Sequence, residues 1–333
     1  MKILVCGGAG FIGSNFVRQR LGTTDDEVVV LDKLTYAGRR ESLRDVETDP
    51  RFSFIHGAIE DPDAVAQAIA GVQAVVNFAA ETHVDRSIAE PDAFVRTHAL
   101  GTYVLLEAAR AHGVRYVQVS TDEVYGSIEQ GSFTESSPLD PSSPYSATKA
   151  GADLLVASYQ RTFGLETLIC RGSNNYGPYQ YPEKLIPLMV LNALAGDRLP
   201  VYGDGRNVRN WLFVEDFASG IAHVLAHGLP GETYNVGGPD ESDNISVVRR
   251  IIELCGADES LIDYVSDRPG HDRRYSLGSE KVAALGWRAQ TRFDDGIERT
   301  VSWYRDNGWW WEPIRSGAYR EYYAKQYGTA LLQ

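Results

Sequence analysis

Short apolar runs recur along the first part of the chain, at residues 2–6, 28–31, 52–57, 74–80 and 116–119. The segments between them place apolar residues at helical spacing, as at 63–70 and 97–112. Continuously apolar runs are typical of strands that are buried on both faces, and strands that alternate with helices form parallel sheets. The pattern therefore predicts an α/β fold with a doubly wound parallel Rossmann sheet.

The first apolar run leads directly into a glycine-rich turn. Gly7, Gly10 and Gly13 precede a helical pattern, and their missing side chains allow a tight turn and the close approach of a pyrophosphate to the helix N-terminus. The second run ends in Asp32, whose carboxylate suits ribose hydroxyls and repels a 2′-phosphate, although Lys33 tempers that preference. This order of strand, turn, helix and acidic strand end predicts a binding site for NAD.

The second half of the chain is less regular. The run at 233–238 predicts a strand that returns to the first sheet. We therefore predict two domains that are discontinuous in sequence and meet at the catalytic cleft: a NAD-binding Rossmann domain (1–172 plus 210–237) and a smaller α/β substrate domain (173–209 plus 238–333). The aromatic tail from Trp309 to Tyr327 is interpreted as packing rather than as a sugar platform.

Composition excludes several classes of partner. The chain has 333 residues and a formal net charge of −13, and it contains no run of Lys and Arg that could attract nucleic acid or an anionic membrane. No apolar stretch reaches the ~20 residues that span a bilayer, and the first residues lack the regions of a signal peptide. Cys6, Cys170 and Cys255 are far apart and form neither a disulfide framework nor a metal-ligand pattern. We expect a cytoplasmic protein without a metal.

Polar groups follow the fifth run, where ligands of open α/β sheets bind. Thr121, Asp122 and Glu123 stand there, although such residues also suit a turn that caps a helix. Two carboxyl groups in different environments can act as acid and base. Downstream, Tyr145 and Lys149 share one face of a long amphipathic helix, where an ammonium group can lower the pKa of a phenol. These five residues are a candidate reaction centre.

A second polar cluster, residues 81–87, follows the fourth run. We interpret Asp85 and Arg86 as partners in local ion pairs. His83 could line the site, but a lone histidine is more often structural.

The glycine turn together with Tyr145 and Lys149 resembles the extended short-chain dehydrogenase/reductase family, whose members process nucleotide-activated sugars. The resemblance covers nearly the whole chain, and the stretches that support it are 31–38, 79–87, 120–126, 173–180, 182–187, 201–205 and 268–275. It implies NAD that is tightly bound and regenerated in each turnover. It also implies dTDP-glucose as the substrate, which would lose water and become a 4-keto-6-deoxy sugar.

The resemblance also implies a role for each residue of the centre. Tyr145, supported by Lys149, would take the proton of the sugar 4-hydroxyl, and Thr121 would share a hydrogen bond with the same oxygen. Glu123 would remove the C5 proton, and protonated Asp122 would donate to the departing 6-hydroxyl. The implied cofactor contacts are Gly7, Gly10, Phe11, Ile12, Gly13, Asp32, Lys33, Thr35, Gly38, Ile59, Ala79, Ala80, Tyr145 and Lys149. The implied substrate contacts are His83, Thr121, Asn174, Lys184, Leu185, Arg209, Asn244, Arg268 and His271, with Lys184 and Arg209 at the pyrophosphate.

The chain departs from the family pattern at three positions. Ala58 replaces an aspartate that meets the adenine amine, His98 replaces an asparagine that supports the nicotinamide side, and Gly278 replaces another aspartate. We expect the adenine contact to be absent or moved.

Further expectations concern assembly and alternative functions. The resemblance implies a homodimer through a four-helix bundle of the helices from Thr97 and Tyr145, with a surface formed by Ala147, Ala150, Ala152, Leu154, Leu155 and Ala157, although packing within a monomer would use the same residues. One alternative function is an epimerase or a dehydratase for UDP- or CDP-sugars, and the adjacent Asp122 and Glu123 disfavour the epimerase. A more distant alternative is a non-catalytic NAD-binding sensor.

Overall fold

The computed structural model describes residues 1–267 and 271–315. Its strands are β1 (Lys2–Cys6), β2 (Glu27–Asp32), β3 (Phe52–His56), β4 (Ala74–Asn77), β5 (Arg115–Thr121), β6 (Thr167–Gly172), β7 (Asn174–Tyr176), β8 (Leu199–Tyr202), β9 (Val208–Phe213), β10 (Thr233–Val236), β11 (Asp240–Asp243) and β12 (Ile262–Val265).

The helices connect and cover these strands. They are α1 (Phe11–Thr23), α2 (Pro62–Ile69), α3 (Val84–Ala89), α4 (Pro91–Phe94), α5 (Thr102–His112), α6 (Pro144–Phe163), α7 (Leu185–Ala195), α8 (Val214–His227), α9 (Asn244–Cys255), α10 (Glu280–Ala284), α11 (Phe293–Asp306) and α12 (Gly308–Trp311). A π-helical segment, Val95–Gly101, joins α4 to α5, so the helix predicted over 97–112 begins with an irregular turn.

The central sheet is parallel throughout, which confirms the predicted fold class. Its strand order is β10-β6-β5-β4-β1-β2-β3, so the late strand returns to the first sheet as expected. The order reverses direction between β1 and β4. A crevice therefore opens beyond the carboxyl ends of these strands, where doubly wound folds bind dinucleotides.

Helices cover both faces of this sheet. Val5 and Val76 point into the core formed with α1 and α8, whereas Leu4 and Val75 point into the core formed with α2, α5 and α6. Successive side chains of a strand point to opposite faces, so burial on both sides requires apolar residues at every position. The continuously apolar runs of the sequence have this cause.

Another hydrophobic core lies beside the central sheet and its helices. It contains the sheet β11-β9-β7, the strand pair β12-β8 and the helices α7, α9 and α11. The predicted boundary at residue 210 falls within β9, which pairs with β7 and β11 rather than with the central sheet. The next helix, α8, packs against the central sheet. The division into two domains stays a prediction, and the strand pairing favours a boundary after Phe213.

The beginning of the aromatic tail is part of this core. Trp310 is 1% exposed, and its indole N–H donates to the Ser42 hydroxyl at 3.0 Å. Packing is therefore the role of Trp310, as predicted, whereas residues 316–327 of the tail lie outside the described residues. Within 1–267 and 271–315, no helix combines the length and apolarity that crossing a membrane requires.

Candidate active site

The glycine turn after β1 is shaped for close approach. Gly7 has a positive φ of 74°, and a Cβ at this position would lie 2.6 Å from the Ala79 backbone nitrogen. A Cβ on Gly13 would collide with the Gly7 carbonyl oxygen. Helix α1 then begins after Gly10, whose missing side chain provides no cap. The first N–H groups of α1 are thus left for a ligand, which suits a pyrophosphate.

The acidic end of β2 is held in place by backbone groups. The Asp32 carboxylate accepts hydrogen bonds from the Ala9 N–H at 2.9 Å and the Leu34 N–H at 2.8 Å. Burial raises the pKa of Asp32, and these two bonds oppose that effect. The carboxylate is therefore fixed beside the glycine turn, where a ribose would lie.

Lys33 is occupied by acidic partners. Its ammonium lies 3.3 Å from a carboxylate oxygen of Glu60, 3.3 Å from one of Glu81 and 2.9 Å from the Thr97 hydroxyl. Two carboxylates offset its charge. The group next to Asp32 thus offers little attraction to a 2′-phosphate, and the site fits NAD.

The candidate acid lies at the end of β5. The Thr121 hydroxyl accepts a hydrogen bond from the Glu123 N–H at 3.3 Å, so Thr121 caps a short 3-10 turn. The capping alternative and the site location therefore both hold. Burial, and then the charge of Glu123, raise the pKa of Asp122 to about 8 although Arg209 opposes the shift. Asp122 is thus protonated at neutral pH.

The candidate base lies at the start of α6. A capping box at Ser143 and Ser146 starts this helix. Tyr145 is 9% exposed, and its hydroxyl lies close enough to the Thr121 side chain for that group to lower its pKa in part. The helix therefore brings the phenol to the end of β5, beside the carboxyl pair.

The pKa of this phenol differs from the expectation. Burial, followed by the negative charges of Glu123 and Asp122, raises the pKa of Tyr145. Lys149 donates instead to the Val119 carbonyl at 2.6 Å, and burial lowers its own pKa to about 8. The predicted lowering of the Tyr145 pKa is therefore wrong for the chain by itself.

One pocket at the carboxyl edge of the central sheet, which we call the central pocket, collects most of the predicted residues. All the predicted catalytic and cofactor residues line it. Of the predicted substrate residues, Thr121, Asn174 and Lys184 line it as well. Among the residues that the structure describes, no hydrogen bond reaches the buried Asn174 side-chain oxygen, which is therefore free to accept one from a ligand.

The other predicted substrate residues lie outside this lining. His83 is buried at the N-terminus of α3, and Leu185 begins α7. Asn244 begins α9, and the His271 ring pairs with Asp267 at 2.6 Å. Arg268 lies outside the described residues.

Arg209 is directed toward the carboxyl pair. Its guanidinium stacks 4.3 Å from the Tyr275 ring centroid and donates to the Asp272 carbonyl at 3.0 Å. Its positive charge also opposes the rise in the pKa of Asp122. Arg209 therefore tunes the candidate acid, while its contact with a pyrophosphate stays a prediction.

Several lining residues were not predicted from the sequence. Thr82, Thr97, Ser173 and Tyr181 also contribute to the central pocket. Thr82 lies in the polar cluster after β4, and Ser173 directly follows β6. Both could have been found from the rule that polar residues at the carboxyl ends of parallel strands line the ligand site. For Thr97 and Tyr181 we find no such signal.

Two of the three departures from the family pattern lie beside the central pocket. The neighbours of Ala58 line the central pocket, whereas Ala58 itself does not. His98 is 2% exposed in the π-helical segment, 2.8 Å from the Thr148 hydroxyl, and its ring lies 5.7 Å from that of Tyr145. Burial lowers the pKa of His98 well below its usual value. A neutral imidazole therefore supports one side of the phenol.

Comparison with known proteins gives a consistent result. The family model for GDP-mannose 4,6 dehydratase matches residues 4–300. A dTDP-glucose 4,6-dehydratase of Streptomyces antibioticus is 52% identical over 323 residues, covering 95% of this chain and 96% of that protein. The dTDP-glucose 4,6-dehydratase 1 of Escherichia coli K12 is 49% identical over 359 residues, covering 98% and 99%. The crystal structure of DesIV, a dTDP-glucose 4,6-dehydratase from Streptomyces venezuelae with NAD bound, superposes with a TM-score of 0.92 at 55% identity, covering 94% of this chain and 100% of that one.

Proposed function

Because this chain belongs to the GDP-mannose 4,6-dehydratase family of extended short-chain dehydrogenases/reductases, we propose that it converts dTDP-glucose into dTDP-4-keto-6-deoxyglucose. It is a NAD-dependent carbon–oxygen lyase. The observation that carries this function is the pairing of Asp122, protonated at neutral pH, with the adjacent Glu123 in the same pocket as Tyr145. Elimination of water needs an acid and a base together, and this pair provides both.

The glycine turn and Asp32 fit NAD, which when bound accepts hydride from sugar C4, returns it to C6 and places a positive charge near the phenol. Because the cofactor is regenerated, it should stay bound through many turnovers. We expect NAD to copurify at close to one molecule per chain. Anion-exchange analysis of the denatured protein measures this, and a purified active chain without nucleotide would contradict it.

The residues at the end of β5 and the start of α6 handle the first proton. Tyr145 takes the proton of the sugar 4-hydroxyl, and Thr121, which lines the same pocket, hydrogen-bonds to that oxygen. Lys149, which donates to the Val119 carbonyl and lines the same pocket, is the cation that we propose to favour the phenolate when substrate and cofactor are bound. The raised pKa of Tyr145 means that this support must be completed by the bound cofactor's charge.

The carboxyl pair performs the elimination. Glu123 removes the C5 proton, which the new 4-ketone has made acidic, and C5 takes a proton again when hydride is returned to C6. Asp122 donates its proton to the departing 6-hydroxyl, and burial keeps that proton in place at neutral pH. Its second carboxyl oxygen is buried and has no hydrogen bond within 1–267 and 271–315, so it is free to meet the leaving group.

The pH dependence follows from the two groups that must hold a proton. Asp122 and Lys149 both have a pKa of about 8 and act in their protonated forms, so kcat/KM should fall above about pH 8. The slope should approach two because either loss stops the reaction. In Asp122→Asn, the residual rate should fall with a slope of one. A wild-type profile that stays flat to about pH 10, roughly two units above these pKa values, would contradict the assignment.

Substrate contacts are assigned on position. We propose that Lys184 binds the pyrophosphate and that Asn174 meets the sugar or the phosphate, since both line the central pocket. The contacts proposed for His83, Leu185, Arg209, Asn244, Arg268 and His271 rest on the family pattern.

The nucleotide is tested by direct competition. Incubation with equal amounts of dTDP-glucose and UDP-glucose, followed by mass spectrometry, should show loss of water from the thymidine compound first. Dehydration of UDP-glucose alone would move the function to a dehydratase for UDP-sugars. Epimerisation without loss of water would favour the epimerase alternative, and no reaction with bound NAD would favour the sensor.

We also propose a homodimer through α5 and α6. Leu100, Tyr103, Leu154 and Phe163 are 42%, 47%, 63% and 53% exposed in this region, an unusual concentration of large apolar side chains. Of the residues predicted for the surface, Ala147 and Leu154 are exposed, whereas Ala150 and Ala152 are buried within the chain.

Light scattering after gel filtration measures this assembly. The wild-type chain should have the mass of a dimer, and Leu154→Arg should shift it toward a monomer, because a buried unpaired charge at an interface is unfavourable. Leu229→Arg is the matched control, since Leu229 is also 63% exposed but lies after α8. A monomeric wild-type chain, or a dimer in both variants, would count against this interface.

The location that we propose is the cytoplasm. All three cysteines are free, and Cys6 and Cys170 are buried. Free buried thiols are typical of proteins in a reducing compartment.

A further inference from the structure

Three side chains from distant segments meet beside the central pocket. The Arg86 guanidinium lies 3.3 Å from the Glu183 carboxylate and 3.9 Å from the Tyr36 ring centroid. The Tyr36 hydroxyl lies against Glu183 and the side chain of Thr82. Tyr181 packs edge-on against Tyr36, with 5.3 Å between the ring centroids. We call Tyr36, Arg86 and Glu183 the clasp.

The clasp joins both walls of the pocket. Tyr36 stands between Thr35 and Ala37, which line the pocket on the side of β2, where the cofactor contacts are predicted. Glu183 stands next to Lys184, which lines the wall assigned to the substrate. Arg86 lies in α3 and bridges the two. A ligand in the cofactor groove is therefore enclosed by segments that the clasp ties together.

The buried charge of Glu183 makes its separation from Arg86 energetically unfavourable. The Glu183 side chain is only 1% exposed. Burial raises its pKa, while the positive charges of Lys184 and Arg86 oppose the shift. Removing one partner of a buried ion pair leaves an uncompensated charge in a medium that solvates it poorly. Separation of the two walls is disfavoured as long as Glu183 keeps its partners.

Two polar atoms of the clasp can still gain a hydrogen bond. Among the described residues, the Tyr36 hydroxyl and one carboxyl oxygen of Glu183 are buried without a hydrogen bond of normal geometry. Buried polar atoms gain free energy when they acquire a partner. A small movement of the 180–184 segment toward β2 would satisfy both atoms at once.

Lys184 connects this movement to the substrate. Its ammonium donates to the Thr82 carbonyl at 2.5 Å, on the loop that carries Arg86. It is also the proposed pyrophosphate ligand, so a diphosphate bound there would draw the substrate wall toward the cofactor wall. We propose that the clasp retains NAD, and that a nucleoside diphosphate bound at Lys184 tightens the clasp and slows NAD release. The second part rests on the proposed function, which supplies the diphosphate.

The test is the rate at which the loaded enzyme releases NAD. Isotopically labelled NAD is bound, and its loss is followed during a chase with unlabelled NAD, with and without dTDP. Glu183→Gln, which keeps the side-chain shape but removes the charge, should release NAD at least about tenfold faster. Tyr36→Phe removes the hydroxyl that the tightened clasp would engage, and it should release NAD about threefold faster than the wild type when dTDP is bound. In the wild type, dTDP should slow release by at least about fivefold, and this effect should vanish in Glu183→Gln.

Glu253→Gln is the matched control, because Glu253 also pairs with an arginine, at 2.6 Å, but on the exposed face of α9. It should release NAD at the wild-type rate. The clasp is refuted if both Glu183→Gln and Tyr36→Phe release NAD at the wild-type rate. If Glu183→Gln does not fold, Tyr36→Phe decides alone. Equal slowing by dTDP in the wild type and the clasp variants would refute the coupling. Slowing by UDP but not by dTDP would support the clasp and overturn the nucleotide assignment.

Discussion

Replacing Tyr145 by phenylalanine should lower kcat with dTDP-glucose by about a thousandfold, within the range for loss of a general base. The phenol is the group placed to take the 4-hydroxyl proton, and it lies beside Thr121 and the carboxyl pair in the central pocket. The ring itself packs edge-on against His98 and Phe94, and phenylalanine keeps those contacts. Steady-state kinetics should therefore show a loss in kcat with KM and bound NAD nearly unchanged.

Tyr159→Phe is the matched control for this result. Tyr159 lies on the same helix and is 7% exposed, but its hydroxyl donates to Glu107 at 2.7 Å, away from the central pocket. Activity should survive this change. If Tyr145→Phe kept more than about a tenth of the wild-type kcat, another group would have to be the base for the first proton.

Replacing Glu123 by glutamine should stop the reaction at a later point. Oxidation at C4 needs Tyr145 but not Glu123, whereas removal of the C5 proton needs the carboxylate. We expect kcat to fall by about a hundredfold or more, with reduced nicotinamide and a 4-keto hexose accumulating when substrate is added. Asp122→Asn should accumulate the same species, because the 6-hydroxyl then has no proton donor and its departure is slow.

Absorbance of reduced nicotinamide separates the two classes of variant. It should rise after substrate addition to Glu123→Gln or Asp122→Asn, and it should stay at baseline in Tyr145→Phe. Baseline absorbance in all three variants would mean that the carboxyl pair also serves the oxidation. Turnover at the wild-type rate by Glu123→Gln would show that the Glu123 carboxylate takes no part in the reaction.

The fold could be predicted because its strands are buried on both faces. That burial requires apolar residues throughout each strand, so the pattern is visible locally in the sequence. The positions of Thr121, Asp122 and Asp32 followed from the same rule, since polar groups at strand ends meet at one edge of a parallel sheet. The spacing of Tyr145 and Lys149 gave a shared helical face, and both do line the central pocket.

The pKa of Tyr145 and the contact made by Lys149 could not be predicted from their spacing in the sequence. A shared face does not fix where a flexible ammonium goes, and Lys149 reaches the Val119 carbonyl instead. Burial and the carboxyl groups at 122 and 123 then raise the pKa of Tyr145. Solvent exclusion and charges from other elements decide a pKa, and neither is a local property of a helix.

Long-range pairings were also hidden. Tyr36, Arg86 and Glu183 are distant in sequence, and each reads locally as a polar loop residue. Arg86 was interpreted as a partner in a local ion pair, whereas it forms an ion pair with Glu183, which is distant in the sequence. In the same way, β9 does not reveal from its own sequence that it pairs with β7 and β11.

The most direct test of the central claim is turnover of dTDP-glucose in deuterated water, analysed by mass spectrometry and NMR of the product. Hydride moves within the sugar while the C5 proton is exchanged with solvent, so the product should lack one water and carry one deuterium, at C5. Product without deuterium, or deuterium at C6, would contradict the assignment of Glu123 and Asp122 as the elimination pair.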